Sequence, residues 1–542
     1  MSNYAIEMRG ITKTFGSVVA NKDVNLTVKE GEILSLLGEN GSGKTTLMNM
    51  LSGIYQPDSG EILLGGNPVT IHSPEDSKKL GIGMVHQHFK LVDVFTAADN
   101  IWLGKEDGGQ ILRKNRYDEI TQMCQKFGFD IDPTKKVRNM AVSEKQTIEI
   151  IKVLYYGAKI IILDEPTAVL TVQETKKLFD VLRQMKKDGH AVIIITHKLN
   201  EVLEISDRVA ILRKGEYITT VNTNETNEQK LTELMVGRKI DLNIDRPEVD
   251  KTLPLLEIRD LVIKNDEDAT AIDKVNFYIR GGEIMGVAGI AGCGQKELCE
   301  AIAGLRPIVS GSMIHKGENI VGLSPKAIIE KGISMSFIPE DRLGMGLAPS
   351  LSITDNMILK NYADSKGFLV DRKSGRKDAR EVIDELNVVT PSTETPVRRL
   401  SGGNVQKILL GREIRISPNV LVTAYPVRGL DINSSYAIYD IINQQKMSGV
   451  GVLFVGEDLD VMMEMCDKIM VLCHGKLMGI VHAHKVTKDQ LGLMMTGALD
   501  LVNNNGKSAG IAKDSLFAEH IIDEEKSSNE NIDKNKRKDG HE

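Results

Sequence analysis

At 542 residues the chain is too long for one ordinary domain, and its 41% apolar residues can supply more than one hydrophobic core. The 68 basic and 75 acidic side chains leave a formal net charge of −7. This charge argues against a general nucleic-acid-binding protein, because such proteins present a basic surface to phosphates.

Cysteine usage and apolar runs limit the class of protein further. The five cysteines form no C-x-x-C pair and are odd in number, which predicts reduced thiols rather than a disulfide framework. The N-terminus lacks the apolar core of a signal peptide, and the most apolar runs are far shorter than the roughly 20 residues that span a bilayer. We therefore expect a soluble chain that reaches a membrane only through a partner.

The first chemical motif along the chain is a glycine-rich loop. The apolar strand predicted at Ile33–Leu37 leads into Gly38-Glu39-Asn40-Gly41-Ser42-Gly43-Lys44-Thr45-Thr46 and then a helix, which fits G-x-x-x-x-G-K-[ST]. Backbone N–H groups of such a loop surround a phosphate at a helix N-terminus, Lys44 bridges the β- and γ-phosphates of ATP, and Thr45 can ligate Mg²⁺. Phe15, 29 residues before Lys44, is predicted to stack on adenine, with core packing as the alternative.

Four further polar side chains lie after apolar strands and predict phosphoryl transfer. Asp164 and Glu165 follow the run at 160–163, where one carboxylate can hold Mg²⁺ and the other can polarise the attacking water. His197 follows the strand predicted at Ala191–Ile195 and is expected to hydrogen-bond the γ-phosphate. Gln87 is expected to contact both the metal and the water.

The sequence repeats itself. At a shift of 251 positions eight glycines coincide with glycines, for example Gly41 with Gly292, and further along a shift of 260 aligns Asp207 with Asp467. Short β-branched runs alternate with helical patterns in each copy, which predicts an α/β fold with a mainly parallel sheet. We predict homologous domains at 1–240 and 252–500, and a charged, mostly disordered tail at 501–542.

These motifs, together with Leu400-Ser401-Gly402-Gly403-Asn404 in the second copy, resemble those of ATP-binding-cassette (ABC) ATPases over residues 1–500. The resemblance implies two tandem P-loop NTPase domains, each with a mainly parallel sheet core and a helical subdomain. It also implies that the domains pair head to tail, so that ATP contacts the phosphate loop of one copy and Ser401, Gly402 and Gly403 of the other. ATP and Mg²⁺ are then the implied cofactors.

The two copies depart from the family pattern at complementary positions. In the second copy, the counterparts of Lys44, Asp164, Glu165 and His197 are, in that order, Gln295, Ala424, Tyr425 and Glu457, and the counterpart of Gln87 is Glu340. The first copy instead reads Ala141-Val142-Ser143 where the second has Ser-Gly-Gly. We therefore predict one complete composite ATP site and one site that does not hydrolyse ATP; whether the latter binds nucleotide is left open.

The tandem layout resembles importers of simple sugars and nucleosides, and HQHFKLV and LSGGNVQK favour the nucleoside branch. The resemblance implies integral-membrane permease subunits as partners, an extracytoplasmic substrate-binding protein as an indirect partner, and a peripheral position on the cytoplasmic face of the membrane. Apolar side chains follow Gln87 and its counterpart Glu340: Phe89, Leu91, Val92 and Phe95 in the first copy, and Leu343, Met345 and Leu347 in the second. They are expected to form clefts for permease helices. The alternative is that they pack inside their own helical subdomain.

Cassette proteins also serve two other functions. A ribosome-associated translation factor is the main alternative, but it would be expected to carry two complete sites and a long, charged linker. A DNA-repair or chromosome-organising protein would be expected to carry a coiled-coil insertion or a zinc-type cysteine cluster. The sequence has none of these features.

Overall fold

The computed structural model describes residues 4–16, 18–86, 89–103, 113–129, 131–168, 170–238, 243–249, 254–290, 292–337, 346–360, 370–428, 430 and 432–502. The chain divides into two compact units, unit 1 (Met1–Leu242) and unit 2 (Asn243–Glu542). Gln87 and all but the first two residues of the predicted tail lie outside the described residues.

Unit 1 alternates strands and helices. Its strands are β1 (Tyr4–Phe15), β2 (Val18–Lys29), β3 (Ile33–Leu37), β4 (Ser59–Leu64), β5 (Asn67–Val69), β6 (Ile82–Val85), β7 (Ile160–Asp164), β8 (Ala191–Ile195), β9 (Arg208–Arg213) and β10 (Glu216–Asn222). Its helices are α1 (Lys44–Leu51), α2 (Pro74–Lys79), α3 (Ala97–Trp102), α4 (Arg113–Phe127), α5 (Val142–Tyr155), α6 (Val172–Lys187), α7 (Leu199–Ile205) and α8 (Glu228–Val236).

The central sheet of unit 1 brings the predicted motifs to one edge. Its order is β10-β9-β3-β8-β7-β6, in which all neighbours are parallel except the β10–β9 pair. Strands β3, β7 and β8 are buried along their whole length, which suits their runs of isoleucine and leucine. Their carboxyl ends therefore lie side by side, where ligands bind in sheets of this kind.

Two smaller parts complete unit 1. Strands β2, β1, β4 and β5 form a separate antiparallel sheet in that order. Helices α3, α4 and α5 bury a hydrophobic cluster of their own that includes Ile101, Trp102, Ile120, Ile148 and Ile151. This cluster is the core of the predicted helical subdomain.

Unit 2 repeats the same succession of elements. Its strands are β11 (Pro254–Lys264), β12 (Thr270–Arg280), β13 (Ile284–Ala288), β14 (Ile308–His315), β15 (Glu318–Asn319), β16 (Ile333–Phe337), β17 (Val420–Ala424), β18 (Gly451–Val455), β19 (Lys468–Cys473) and β20 (Lys476–His482). Its helices are α9 (Gln295–Ile302), α10 (Pro325–Glu330), α11 (Ile353–Ile358), α12 (Arg372–Glu385), α13 (Gly402–Arg415), α14 (Ile432–Met447), α15 (Leu459–Met465) and α16 (Lys488–Met495).

The sheets of unit 2 have the same order as those of unit 1. The mainly parallel sheet runs β16-β17-β18-β13-β19-β20, with only β20 antiparallel, and the antiparallel sheet runs β12-β11-β14-β15. Helices α1 and α9 begin 251 residues apart, whereas α5 and α13, like β7 and β17, begin 260 apart. The α/β fold with a mainly parallel sheet, predicted twice from the sequence, is confirmed.

Two further observations concern the whole described chain. All five cysteines are buried and unpaired. None of the helices in the described ranges has the length and apolar character needed to cross a bilayer.

Candidate active site

The glycine loop of unit 1 lies in close backbone contact with the strands around it. A Cβ atom on Gly38 would overlap the carbonyl oxygen of Leu212, and one on Gly43 would overlap that of Ala20. Gly43 also has a φ of 92°, in the left-handed region that favours glycine. The first turn of α1, which follows, contains no acidic side chain, so its N–H groups and dipole favour an anion.

Lys44 is held in this loop by backbone carbonyl groups. Its Nζ donates to the carbonyl oxygen of Gly38 at 2.6 Å and to that of Glu39 at 3.0 Å, which uses two of its three N–H bonds. Burial lowers the pKa of Lys44, while nearby carboxylates, above all that of Glu165, act in the opposite direction. The ammonium is thus preorganised for a phosphate oxygen, and little water competes for it.

Asp164 ends β7 beside the loop. Burial and next the charge of Glu165 raise the pKa of Asp164 to about 6. A hydrogen bond from Thr45 and the charge of Lys44 act in the opposite direction. A buried carboxylate beside a threonine hydroxyl fits a hard divalent cation such as Mg²⁺. Over the described ranges no cluster of three or more His, Cys, Asp or Glu side chains could hold a metal.

Glu165 is fixed through both its backbone and its side chain. Its φ of 47° is rare for a residue other than glycine, and its N–H donates to the carbonyl oxygen of Ile195 at 2.8 Å. Its Oε1 lies 3.0 Å from Nδ1 of His197, and this hydrogen bond is the main cause that lowers the pKa of Glu165. Glu165 is therefore ionised at neutral pH, as a general base must be.

The structure brings Lys44, Thr45, Asp164, Glu165 and His197 together at the carboxyl edge of the sheet of unit 1. Phe15 lies on the surface, 44% exposed, with its ring centroid 5.1 Å from that of Tyr55. This exposure disfavours core packing, the alternative considered for Phe15. Adenine stacking stays a prediction.

The same edge of unit 2 keeps the backbone but lacks the loop lysine and the two carboxylates of unit 1. Gln295, the counterpart of the loop lysine, donates from Nε2 to the carbonyl oxygen of Ile290 at 3.2 Å. Tyr425 has a φ of 54° and an N–H that donates to Val455 at 2.8 Å, as Glu165 does to its own neighbouring strand. Burial raises the pKa of Tyr425 to about 12, so its side chain is neutral.

The Ser-Gly-Gly turn begins α13 of unit 2. Asn404 donates from Nδ2 to Ser401 Oγ at 2.9 Å and accepts from the N–H of Val389 at 3.0 Å. Because Ser401 Oγ accepts this bond, its own O–H is available to donate to a ligand. A Cβ on Gly403 would lie 3.0 Å from Ser434 Oγ, a tight contact that glycine avoids. The sequence motif alone does not indicate this orienting role of Asn404.

In unit 1 the equivalent helix start is occupied by the chain's own carboxylate. Glu144, the counterpart of Asn404, accepts from the N–H of Ala141 at 2.7 Å and from Lys135 Nζ at 2.8 Å. The dipole of α5 thus already has an anion at its positive end. The sequence carried a signal for this contact, since a Glu three residues after a helix N-cap is half of a capping box.

Exposed apolar side chains lie on the helical subdomain of each unit. They include Val94, Phe95 and Leu103 in unit 1 and Leu351 and Leu359 in unit 2. Leu91 and Leu347 instead pack into the hydrophobic clusters of their own subdomains, so for these two residues the alternative was right. Leu343 and Met345 lie outside the described residues.

Comparison with known proteins decides the family. The model of the ABC transporter family matches residues 21–168 and 272–424, once in each unit. The chain belongs to the ABC transporter family. Like the ATP-binding subunits of that family, it binds ATP and is an ATPase.

Curated relatives match this ABC protein over almost their whole length. A guanosine import ATP-binding protein of Bacillus subtilis is 42% identical over 500 residues, covering 91% of this chain and 98% of the relative. A nucleoside import ATP-binding protein of Lactococcus lactis is 39% identical, with the same coverage. A glucose import ATP-binding protein of Haloferax volcanii is 38% identical, covering 92% of this chain and 97% of the relative.

Proposed function

We propose that the chain is the ATP-hydrolysing subunit of a nucleoside importer with one competent ATP site. This site would combine the phosphate loop and catalytic side chains of unit 1 with Ser401, Gly402 and Gly403 of unit 2. The observation that carries the proposal is complementary loss: unit 1 keeps every charged group for phosphate chemistry and lacks the Ser-Gly-Gly turn, whereas unit 2 keeps the turn and lacks those groups. Independent decay of two separate sites would have damaged both kinds of motif in each unit.

Each side chain of unit 1 has a definite task in the proposed reaction. Lys44 neutralises the β- and γ-phosphates, and Thr45, Asp164 and Gln87 would hold Mg²⁺, which screens the charge on the transferring group. Glu165 accepts a proton as the water oxygen bonds to the γ-phosphorus and the bond from that phosphorus to the bridging oxygen breaks. His197 holds Glu165 in place by donating from Nδ1. A second bond, from Nε2–H to the γ-phosphate, requires the doubly protonated imidazolium.

The remaining contacts of the loop would help to bind the nucleotide without taking part in proton transfer. Backbone N–H groups from Gly38 to Thr46, a span that includes Glu39, Asn40, Gly41, Ser42 and Gly43, would surround the β-phosphate. On the other side, the Ser401 hydroxyl and the N-terminus of α13 would donate to the γ-phosphate. The start of α5 cannot play this part, because Glu144 places a negative charge where the phosphate would lie.

We propose that the exposed apolar side chains on the helical subdomains bind permease subunits on the cytoplasmic face of the membrane. An extracytoplasmic binding protein would deliver the cargo to that permease. Relatives named for guanosine and nucleoside import, at 42% and 39% identity, support nucleosides as the cargo. Uptake of labelled guanosine and glucose by cells with and without the gene would separate nucleosides from sugars.

The pairing of the two units is tested by placing the same bulky cation at the two equivalent helix starts. Ser401→Arg should block the competent site and reduce the ATP turnover of the purified full-length chain to background. Ala141→Arg, at the equivalent exposed position of unit 1, should leave turnover close to that of the unaltered protein. If Ala141→Arg stopped turnover and Ser401→Arg spared it, the assignment of the two units would be wrong.

Permease binding is tested by co-purification. Phe95→Asp places a charge among the exposed apolar side chains of unit 1 and should release the permease, whereas Leu305→Asp, at an exposed position elsewhere, should not. Retention of the permease by the Phe95 variant would count against this surface. Sedimentation with ribosomes instead of membranes would favour the translation-factor alternative.

A further inference from the structure

An aromatic pair lies at the turn end of the β1–β2 hairpin of unit 1. Phe15 is the last residue of β1, and Tyr55 lies four residues after the end of α1. Their ring centroids are 5.1 Å apart and the ring planes meet at 71°, an edge contact. Both rings are exposed, so the pair is a surface feature rather than part of the core.

Both rings are attached to elements that contact the phosphate loop. Asn21 on β2 donates from Nδ2 to the carbonyl oxygen of Gly43 at 3.3 Å. In the β1–β2 ladder Lys13 pairs with Asn21 and Phe15 pairs with Val18, so Phe15 lies two residues, or about 7 Å, further along the strand. Tyr55 donates its backbone N–H at 3.2 Å to Asn49, on the helix that begins at Lys44. A base attached to phosphates in this loop would therefore be within reach of the pair.

Unit 2 makes the same bridge with different chemistry. Arg306 is the counterpart of Tyr55 at a shift of 251. It donates to the carbonyl oxygen of Lys264, the last residue of β11, at 3.1 Å, and forms ion pairs with Asp266 at 3.0 Å and with Glu300 at 2.7 Å. The residue at this position thus reaches across to the hairpin in both units. The contact is aromatic only in the unit that keeps the groups for ATP hydrolysis.

We infer that Tyr55 is a positioning residue that holds the ring of Phe15 in the orientation in which adenine stacks on it. This inference rests on the proposed function, in which Phe15 contacts the base. Lys13 restrains the same ring from the strand side, because its Nζ lies 5.6 Å from the Phe15 centroid and is paired with Asp58 at 2.7 Å. Tyr55 supplies the restraint from the α1 side.

The test measures kcat and KM for ATP, together with the inhibition constant of inorganic triphosphate, which has no base. Tyr55→Ala should raise KM by about 2- to 10-fold, the usual range for one aromatic pair, and leave kcat and the triphosphate constant unchanged. Tyr55→Phe keeps the ring and should restore the original KM. The double variant Phe15→Ala/Tyr55→Ala should be no worse than Phe15→Ala alone, because Tyr55 acts only through Phe15.

The outcomes separate this inference from the proposal beneath it. If Phe15→Ala raised KM and Tyr55→Ala did not, the base contact would stand and the role of Tyr55 would be refuted. If Phe15→Ala itself left KM unchanged, the proposed contact with adenine would fail. If Tyr55→Ala weakened triphosphate and ATP equally, Tyr55 would be supporting the phosphate loop, and the inference would again be overturned.

Discussion

The phosphate loops of the two units share a backbone and differ in their chemistry. In unit 2, as in unit 1, a Cβ on the last loop glycine would overlap a carbonyl oxygen of the neighbouring strand, here that of Ala271 beside Gly294. A residue with a left-handed backbone directly after the strand also recurs, as Glu165 after β7 in unit 1 and Tyr425 after β17 in unit 2. The backbone is therefore required by packing, whether or not a phosphate binds. Activity depends on which side chains that backbone carries.

The N-termini of α5 and α13 differ in the opposite sense, because here unit 2 has the groups that could contact a phosphate and unit 1 does not. Unit 2 leaves a serine hydroxyl and a glycine-lined helix N-terminus exposed at Ser401, whereas unit 1 neutralises the same place with Glu144. Losing a ligand site at a helix N-terminus leaves N–H groups that need an acceptor. Glu144 supplies one, so the change that would remove the proposed nucleotide contact also stabilises the helix.

The largest effect should come from Glu165, and none should come from Tyr425, which has the same positive φ at the equivalent position of unit 2. Glu165→Gln removes the base and should lower kcat by about 10²–10⁴-fold, while Tyr425→Phe, which keeps the ring packed against the core of unit 2, should leave it unchanged. Steady-state ATP hydrolysis by the full-length chain measures both. A protein silenced by Tyr425→Phe and active with Glu165→Gln would reverse the assignment of the units.

The next effect comes from copying the loop of unit 2 into unit 1. Lys44→Gln keeps a donor for the loop carbonyls, as Gln295 shows at 3.2 Å, but removes the charge. We expect kcat/KM to fall about 10²–10³-fold, the usual effect of losing one charge stabiliser. Thermal unfolding should change little, because the loop geometry is kept. A large fall in the unfolding temperature would mean that the charge is needed for folding and not for phosphate.

The sequence was sufficient for every feature that depends on local pattern. Buried strands such as Ala191–Ile195, the loop around Lys44 and the grouping of Asp164 with His197 follow from short apolar runs that end in polar residues. The parallel order of the strands then brings these ends together.

Contacts between distant residues could not be predicted in the same way. Arg306 bonds to Lys264, 42 positions earlier, and nothing in the local sequence specifies that partner. The positive φ of Glu165 could not be predicted from the sequence either, since glutamate is not a residue that favours this region. In the sequence, Leu91 and Leu347 cannot be distinguished from the exposed Phe95, because all three are apolar residues that follow Gln87 or its counterpart. Only the tertiary structure packs the two leucines into the hydrophobic clusters of their subdomains.

A smaller effect is expected when the N-terminus of α13 is given a carboxylate like that at the N-terminus of α5. Asn404→Asp removes the donor to Ser401 and places a carboxylate where unit 1 has Glu144. We expect turnover to fall about 10- to 100-fold through repulsion of the γ-phosphate and loss of the serine orientation. Glu144→Gln is the matched control and should leave turnover unchanged, because that helix does not contact the competent site in the proposal. Equal losses of ATP turnover in Asn404→Asp and Glu144→Gln would contradict the proposed difference between the two helix N-termini.

The smallest effect concerns a lysine–aspartate pair that both units share. Lys446 is 1% exposed and bonds to Asp467 at 2.7 Å, whereas Lys186 is 37% exposed and bonds to Asp207 at 2.5 Å. Part of the difference lies in residues 243–249, which pack beside Lys446: the carbonyl oxygen of Asp245 accepts from Asn443, three residues before Lys446 on α14. Water is therefore excluded from the ammonium of Lys446 and not from that of Lys186, whereas both aspartates are partly exposed.

Replacing each lysine by methionine separates burial from pairing. Lys446→Met should lower the free energy of unfolding by about 1–3 kcal/mol, because Asp467 loses its hydrogen bond from a buried ammonium, and Lys186→Met by at most about 1 kcal/mol, because that ammonium is exposed. Hydrogen exchange on α14 and α6 measures the two units separately. Lys446→Met/Asp467→Asn should recover part of the loss, since no uncompensated charge remains. Equal effects at Lys446 and Lys186 would show that the segment at 243–249 does not strengthen the pair.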